Sequence, residues 1–218
     1  MNAKFLLDFL EKNNTKTIRK KYHSYLTFYG LDEKYTYVLK EGVIKTSVIL
    51  KDGREFNISY ICEPDIISLL RDEISSNTSS PFNVRIESKE AVFYKIPRVT
   101  FWNYVNNDIE LQTYIKDYYR TKLLESMHNH KITIMNGKKG AVCAFIYELI
   151  GKFGKQKNNK IIIDFLITNE DIAGFCGVST RNSVNRILHE LKKEKVISII
   201  DKKIHVLDVE YLRNFALD

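Results

Sequence analysis

The spacing of apolar and polar positions changes twice along the chain. The first residues carry an amphipathic helical run, "KFLLDFLEKNN", and then a polar stretch to about residue 20. Between about 22 and 96 the pattern shortens to runs rich in β-branched and aromatic residues: "YTYVL", "VIKTSVI", "EFNISYI", "NVRIES" and "AVFYKI". The punctuation "EG", "KDG" and "CEPD" marks turns between them. Strands at such short spacing predict a β-sandwich or barrel. The polar, low-complexity "SSNTSSPF" at 75–82 reads as a loop.

After Pro97 the period becomes helical. "TFWNYV" predicts a short helix, and 108–135 then runs without Pro or Gly. Leu111, Ile115 and Tyr118, then Leu124, Met127 and Ile134, form a broken apolar stripe. A helix this long buries such a stripe against its own β-domain or against a second copy. The second copy is the expectation here, with Leu111, Ile115, Tyr118 and Met127 as the dimer seam. "NGKKG" at 136–140 is expected to break the helix and mark a domain boundary. Beyond it the pattern predicts helix (141–153), strand (161–164), helix (169–175), helix (180–194), a hairpin (196–207) turning at a polar "DKK", and a terminal helix.

The most specific pattern is "TNEDIAGFCGVSTRNSVNRIL". Thr168 can cap one helix, with Asp171 three residues on reaching back. Gly177 sits where a left-handed residue is needed, and Ser179, with Thr180 competing, can cap a second helix. Ile172, Ala173 and Val184 are spaced to hold the two helices together. Val184, Ile187, Leu188 and Leu191 give the second helix its inner face, and Arg181, Asn182, Asn185, Arg186 and His189 its outer one. In a helix-turn-helix, the start of the second helix meets base edges in the major groove. Arginine can there give two hydrogen bonds to guanine, and asparagine can pair with adenine. Arg186, Asn182 and Arg181 are therefore the candidate base readers. Ser183, Asn185, Thr168 and Ser179 are phosphate-contacting or supporting residues, and Lys192, Lys193 and Lys195 add general attraction to DNA.

Composition is compatible with this. The net charge is +7, from 34 Lys/Arg against 27 Asp/Glu, which makes a polyanionic partner plausible without requiring one. Cys62, Cys143 and Cys176 are far apart, with no CxxC pair, so reduced thiols and a cytoplasmic location are expected rather than a zinc site or disulfides. No signal-peptide core and no run of 18 apolar residues appears. No nucleophile–base pair or phosphate loop supports an enzyme. A small-molecule-binding β-domain whose C-terminal helices contact a protein is the competing class, and the arginines of 181–186 favour DNA over it.

The order of β-roll, long helix and winged helix, with "TNEDIA…G…S…RNSVNRILHELKKEKVI", resembles the Crp/Fnr family of bacterial transcription regulators, closest to its PrfA-like branch. The resemblance covers nearly the whole chain and includes the turn glycines Gly30, Gly42 and Gly53 of "YLTFYGLDEKYTYVLKEGVIKTSVILKDGREFNISYI". It implies an α+β architecture: a helix and jelly-roll-like sensor domain (1–107), a dimerisation helix and hinge (108–136) and a winged helix-turn-helix (137–218). It further implies a homodimer on a palindromic promoter site, activating through RNA polymerase, with no membrane partner. The family's base-reading arginine falls on Arg186, with Arg181 and Asn182 on the other recognition positions. One extra residue between Gly177 and Arg186, relative to the cyclic-AMP-binding members, shifts the register of Arg181. Asn182 stands where several relatives have Glu, implying a different half-site.

The sensor end departs from those members. "EPDIISLLRDEISSNTSSPFNVRIESKEAVFYKI" has neither the Gly-Glu pair nor the Arg-Ser/Thr-Ala stretch that grips a cyclic nucleotide, and neither Arg71 nor Arg85 lies in such a cassette. Cyclic AMP is therefore not expected. Residues 1–61 contain no cysteine, so no iron–sulfur cluster is expected either. His23, His128 and His130 read as structural rather than haem ligands, and Cys62 as a small buried residue rather than a redox sensor. A glutathione-like effector, as in the PrfA-like branch, remains open.

Overall fold

The computed structural model describes residues 3–67, 79–157 and 160–216, with only the backbone of 133–135. Arg71, the start of the 75–82 loop and the side chain of Ile134 lie outside the described residues. The chain divides into two compact units, Met1–Ile49 with Asn57–Leu124, and Leu50–Phe56 with Glu125–Asp218.

The first unit opens with α1 (Ala3–Lys12), whose i, i+4 pair Leu6 and Leu10 is fully buried. It stops at Asn14, which adopts φ 50° and lets Asn14 N–H reach Glu11 O and Thr15 N–H reach Leu10 O. Those bonds satisfy carbonyls at the helix end in the left-handed manner usual for glycine or asparagine. Two antiparallel sheets follow. One orders β1 (Thr17–Lys21), β8 (Glu90–Pro97), β3 (Tyr35–Glu41) and β6 (Asp65–Ile66). The other orders β2 (Tyr25–Thr27), β7 (Asn83–Ile86), β4 (Ile44–Ile49) and β5 (Glu55–Ile61). Leu26, Leu39, Ile44, Val84, Ile86 and Phe93 form a core common to both. The five apolar runs read from the sequence are strands β3, β4, β5, β7 and β8. Strand β1 was hidden, because "TIRKK" offers a single apolar side chain and owes its conformation to pairing with β8.

Gly42, joining β3 to β4, has φ +111°, and a Cβ there would lie 2.7 Å from the Ala91 backbone. Only glycine lets this turn approach β8 so closely. Arg85 is engaged rather than free, its Nε donating to Glu87 Oε1 at 2.6 Å.

Pro97 ends β8 and starts α2 (Arg98–Asn107), and Asp108 Oδ1 then accepts from Leu111 N–H as α3 (Ile109–Met135) begins. Here the structure corrects the sequence reading. Leu111, Ile115 and Tyr118 are buried inside the first unit, against Leu6, Leu10, Tyr94 and Phe101, so they do not form a seam with another copy. The Tyr118 hydroxyl donates to Ile66 O at 3.0 Å, and Lys122 pairs with Asp65 at 2.8 Å. Helix α1 supplies the cover that the stripe needs, which helical periodicity alone could not reveal. Past Lys122 the helix changes character: Leu123, Leu124 and Met127 are 63%, 60% and 62% exposed.

In the second unit the "NGKKG" break is confined to Asn136 and Gly137, the latter at φ +59°. Helix α4 (Gly137–Phe153) therefore starts four residues earlier than expected. Gly140 lets Phe215 lie close, since a Cβ would sit 2.9 Å from Phe215 Cδ1, and Asn136 Nδ2 donates to Phe215 O at 2.7 Å. Helix α4 buries Val142, Cys143, Ile146 and Leu149, and stacks Phe145 on Phe175 with ring centroids 4.6 Å apart. A second sheet edge was also missed. β9 (Gly154–Lys157) is fully exposed and carries no apolar alternation, yet pairs with β10 (Lys160–Ile163). No helix among the described residues is long and apolar enough to cross a membrane.

Candidate nucleic-acid interface

Helix α5 (Asn169–Cys176) starts as the sequence predicts. Thr168 Oγ1 accepts from Asp171 N–H at 3.0 Å and donates to Asp171 Oδ2 at 2.7 Å, while the same carboxylate accepts from Thr168 N–H. Two backbone donors at the helix start are thereby satisfied reciprocally. The hydroxyl hydrogen is committed to Asp171 in this box, so Thr168 acts by fixing α5. Gly177 follows at φ 61°, ψ 24°, the left-handed residue that turns the chain.

Helix α6 (Arg181–Lys193) is capped by Thr180, not Ser179. Thr180 Oγ1 accepts from Ser183 N–H at 3.2 Å, and the two hydroxyl oxygens lie 3.0 Å apart. Both residues can cap, but a cap must immediately precede the first helical residue, and α6 begins at Arg181, which puts Thr180 in that position. Ser179 is left exposed just outside the helix, and Ser183 is half-buried within the cap.

The inner face of α6 is closed: Val184, Ile187, Leu188 and Leu191 are buried, as is Ile172 of the neighbouring α5. At about 100° per residue, the ridge pointing directly away from that face runs Asn182, Arg186, His189, Lys193. All four are exposed. Among the described residues the Arg186 side chain has no hydrogen-bond or ion-pair partner within the chain, and its donors are available for a ligand. Asn185 lies on the flank of the ridge and Arg181 farther round, at the first position of the helix, where Arg181 Nη1 meets Glu170 Oε1 of α5 at 3.1 Å. The structure thus brings Arg186 and Asn182 onto one ridge and sets Arg181 beside it, engaged with a carboxylate. Residue-by-residue reading missed this partner, although acidic residues at the start of α5 were visible.

The far end of α6 is fixed without glycine. Lys195 takes φ 57°, Lys195 N–H bonds Lys192 O, and Val196 N–H bonds Leu191 O, with Val196 buried. That is the helix-closing motif usually given to glycine. Glu194 adds a clamp, accepting from Lys139 Nζ at 2.7 Å and from the Tyr211 hydroxyl of α7 (Val209–Arg213) at 3.0 Å.

Beyond the helix, β11 (Ile197–Ile200) and β12 (Lys203–Val206) complete a sheet ordered β11-β12-β10-β9. The hairpin turns on Asp201 and Lys202, both at positive φ (51° and 62°), which matches strand twist in a two-residue loop. Asp164 ties this wing, accepting from Lys155 Nζ at 2.6 Å and from Lys203 Nζ. These two ammonium groups hold its carboxyl at about 2, below the ordinary 3.8. Because the folded value is depressed, the stabilisation from this contact is fully present above about pH 4 and is lost as pH falls through 2. An NMR titration of the Asp164 carboxyl is expected to show this low midpoint, returning toward 3.8 in Lys203→Met. Burial pushes the Cys143 thiol up to about 11, so it is protonated at neutral pH and serves as core.

A β-roll unit joined in one chain to a winged helix-turn-helix with an exposed Arg/Asn ridge defines a DNA-binding transcription regulator. A Crp-like helix-turn-helix domain matches residues 140–215. The chain is 57% identical to the "Lactate racemization regulatory protein" of Lactiplantibacillus plantarum over 97% of its own length and 96% of that protein's. It is 26% identical to the "Listeriolysin regulatory protein" of Listeria monocytogenes, covering 95% of this chain and 88% of that one. Among solved structures, a CooA mutant from Carboxydothermus hydrogenoformans superposes with a TM-score of 0.77 at 14% identity, covering 97% of this chain and 95% of that chain. The protein belongs to the Crp/Fnr family of transcription regulators. Its tie to the listerial regulator is loose, far weaker than to the lactobacillar one.

Proposed function

We propose that the protein works as a homodimer on a two-fold symmetric promoter site and activates transcription through RNA polymerase in the cytoplasm, with genes of lactate racemization among its targets. The observation that carries the reading is the α6 ridge, on which Asn182 and Arg186 stand exposed while the opposite face is closed. The 57% identity to a regulator of lactate racemization supports the choice of target genes. Leu123, Leu124 and Met127 support the dimer. Three large apolar side chains exposed on one helix are covered when that helix meets its own copy. Control of this regulator rests on neither cyclic AMP nor an iron–sulfur cluster, since the residues that hold them in relatives are missing from the sequence.

Two measurements test this. Selection from random DNA is expected to return a palindrome whose half-site centres lie roughly 34–36 Å apart. Sedimentation is expected to give a dimer that Leu124→Asp converts to a monomer, with the fold intact by circular dichroism. A monomeric wild-type protein bound to a single half-site would contradict the reading.

A further inference from the structure

We propose that Glu170 is a specificity-determining residue that acts through Arg181, holding its guanidinium in one orientation at the start of the recognition helix and cancelling its charge toward phosphates. The inference rests on the DNA-binding role of α6.

The geometry carries it. Glu170 Oε1 lies 3.1 Å from Arg181 Nη1, across the junction of α5 and α6. The capping box does not require Glu170, because Asp171, its neighbour, already fills it with Thr168. Both partners are largely exposed, and exposed ion pairs contribute little to folding. Arg181 is the first residue of α6, so the pair stands at the helix start that meets DNA in a helix-turn-helix, and a docked duplex must either keep it or break it.

Guanidinium chemistry says what keeping it does. Arginine carries five N–H donors in a planar fork. With Nη1 on the carboxylate, the Nε and Nη2 edge remains available for a bidentate contact with guanine O6 and N7. The carboxylate fixes the plane in which that edge is presented. It also removes one net positive charge from the surface, so Arg181 gains little from an arbitrary phosphate. Glu170 thus lowers affinity for random DNA and raises discrimination, a use of repulsion and restraint against wrong partners.

The test compares full-length wild type, Glu170→Gln, Arg181→Ala and the double variant. Each is titrated against the selected palindrome and against random-sequence duplex at several salt concentrations. Glu170→Gln is expected to tighten binding to random duplex and to steepen its salt slope by about one. The ratio of specific to random affinity should fall roughly five- to tenfold, the low end for one bidentate base contact. In the Arg181→Ala background the same substitution is expected to leave that ratio unchanged, and melting temperatures should match throughout. Equal effects of Glu170→Gln in both backgrounds would overturn the inference, since Glu170 would then repel phosphates or read a base directly. No effect in either background, with wild type still bound to its site, would also overturn it while leaving the DNA-binding role of α6 intact. Failure of wild type to prefer any sequence would overturn both.

Discussion

Leu111→Ala is expected to lower folding stability by about 2–5 kcal/mol without changing the oligomeric state. The side chain is fully buried in a core to which α1 gives Leu6 and Leu10, α2 gives Phe101, and the sheet gives Val38 and Tyr94. Truncation removes apolar contact and leaves a cavity that neighbouring α1 and α2 cannot collapse to fill. The sequence alone assigned this residue to a dimer seam, and that assignment carries the opposite expectation: a weaker dimer and a protomer of unchanged stability. Urea denaturation followed by sedimentation of the same variant separates the two. Loss of the dimer at unchanged protomer stability would restore the seam to the first turns of α3 and contradict the burial described above.

Arg186→Ala is the second large effect, expected on binding rather than folding. It should weaken binding to the cognate site by about 1–3 kcal/mol per half-site. Arg186 is exposed at the centre of the ridge and has no side-chain partner among the described residues, so its removal costs the fold little. Binding to random duplex should change by no more than the loss of one charge. Lys192→Ala gives the complementary result, a small and sequence-independent loss, because Lys192 lies off the ridge and in the last turn of α6, away from the helix start.

The two cases show what the sequence could and could not disclose. Capping and turn chemistry is local, and it was legible: the Thr168–Asp171 box and left-handed Gly177 stand where the residue types put them. The inner face of α6 was equally legible, because four apolar residues at helical spacing leave one face to bury. Strands rich in β-branched residues were found, whereas β1 and β9 were not, since polar edge strands are specified by their neighbours and not by their own side chains. Left-handed Lys195 gave no signal, being a residue that rarely takes that conformation and here held by two backbone hydrogen bonds. The stripe of α3 was seen but its partner was not. Periodicity tells which face is apolar, and only the placement of α1 tells that Leu111, Ile115 and Tyr118 are covered within the chain, whereas Leu124 and Met127 stand exposed. The Glu170–Arg181 pair is likewise tertiary, joining residues eleven apart on two helices.

The central claim, that α6 reads base edges through its outer ridge, is tested most directly by paired selections from random DNA with wild type and Arg186→Ala. Wild type is expected to return a symmetric site, and Arg186→Ala the same site with one symmetry-related position in each half-site relaxed to any base. An identical base preference at every position for both proteins would contradict it.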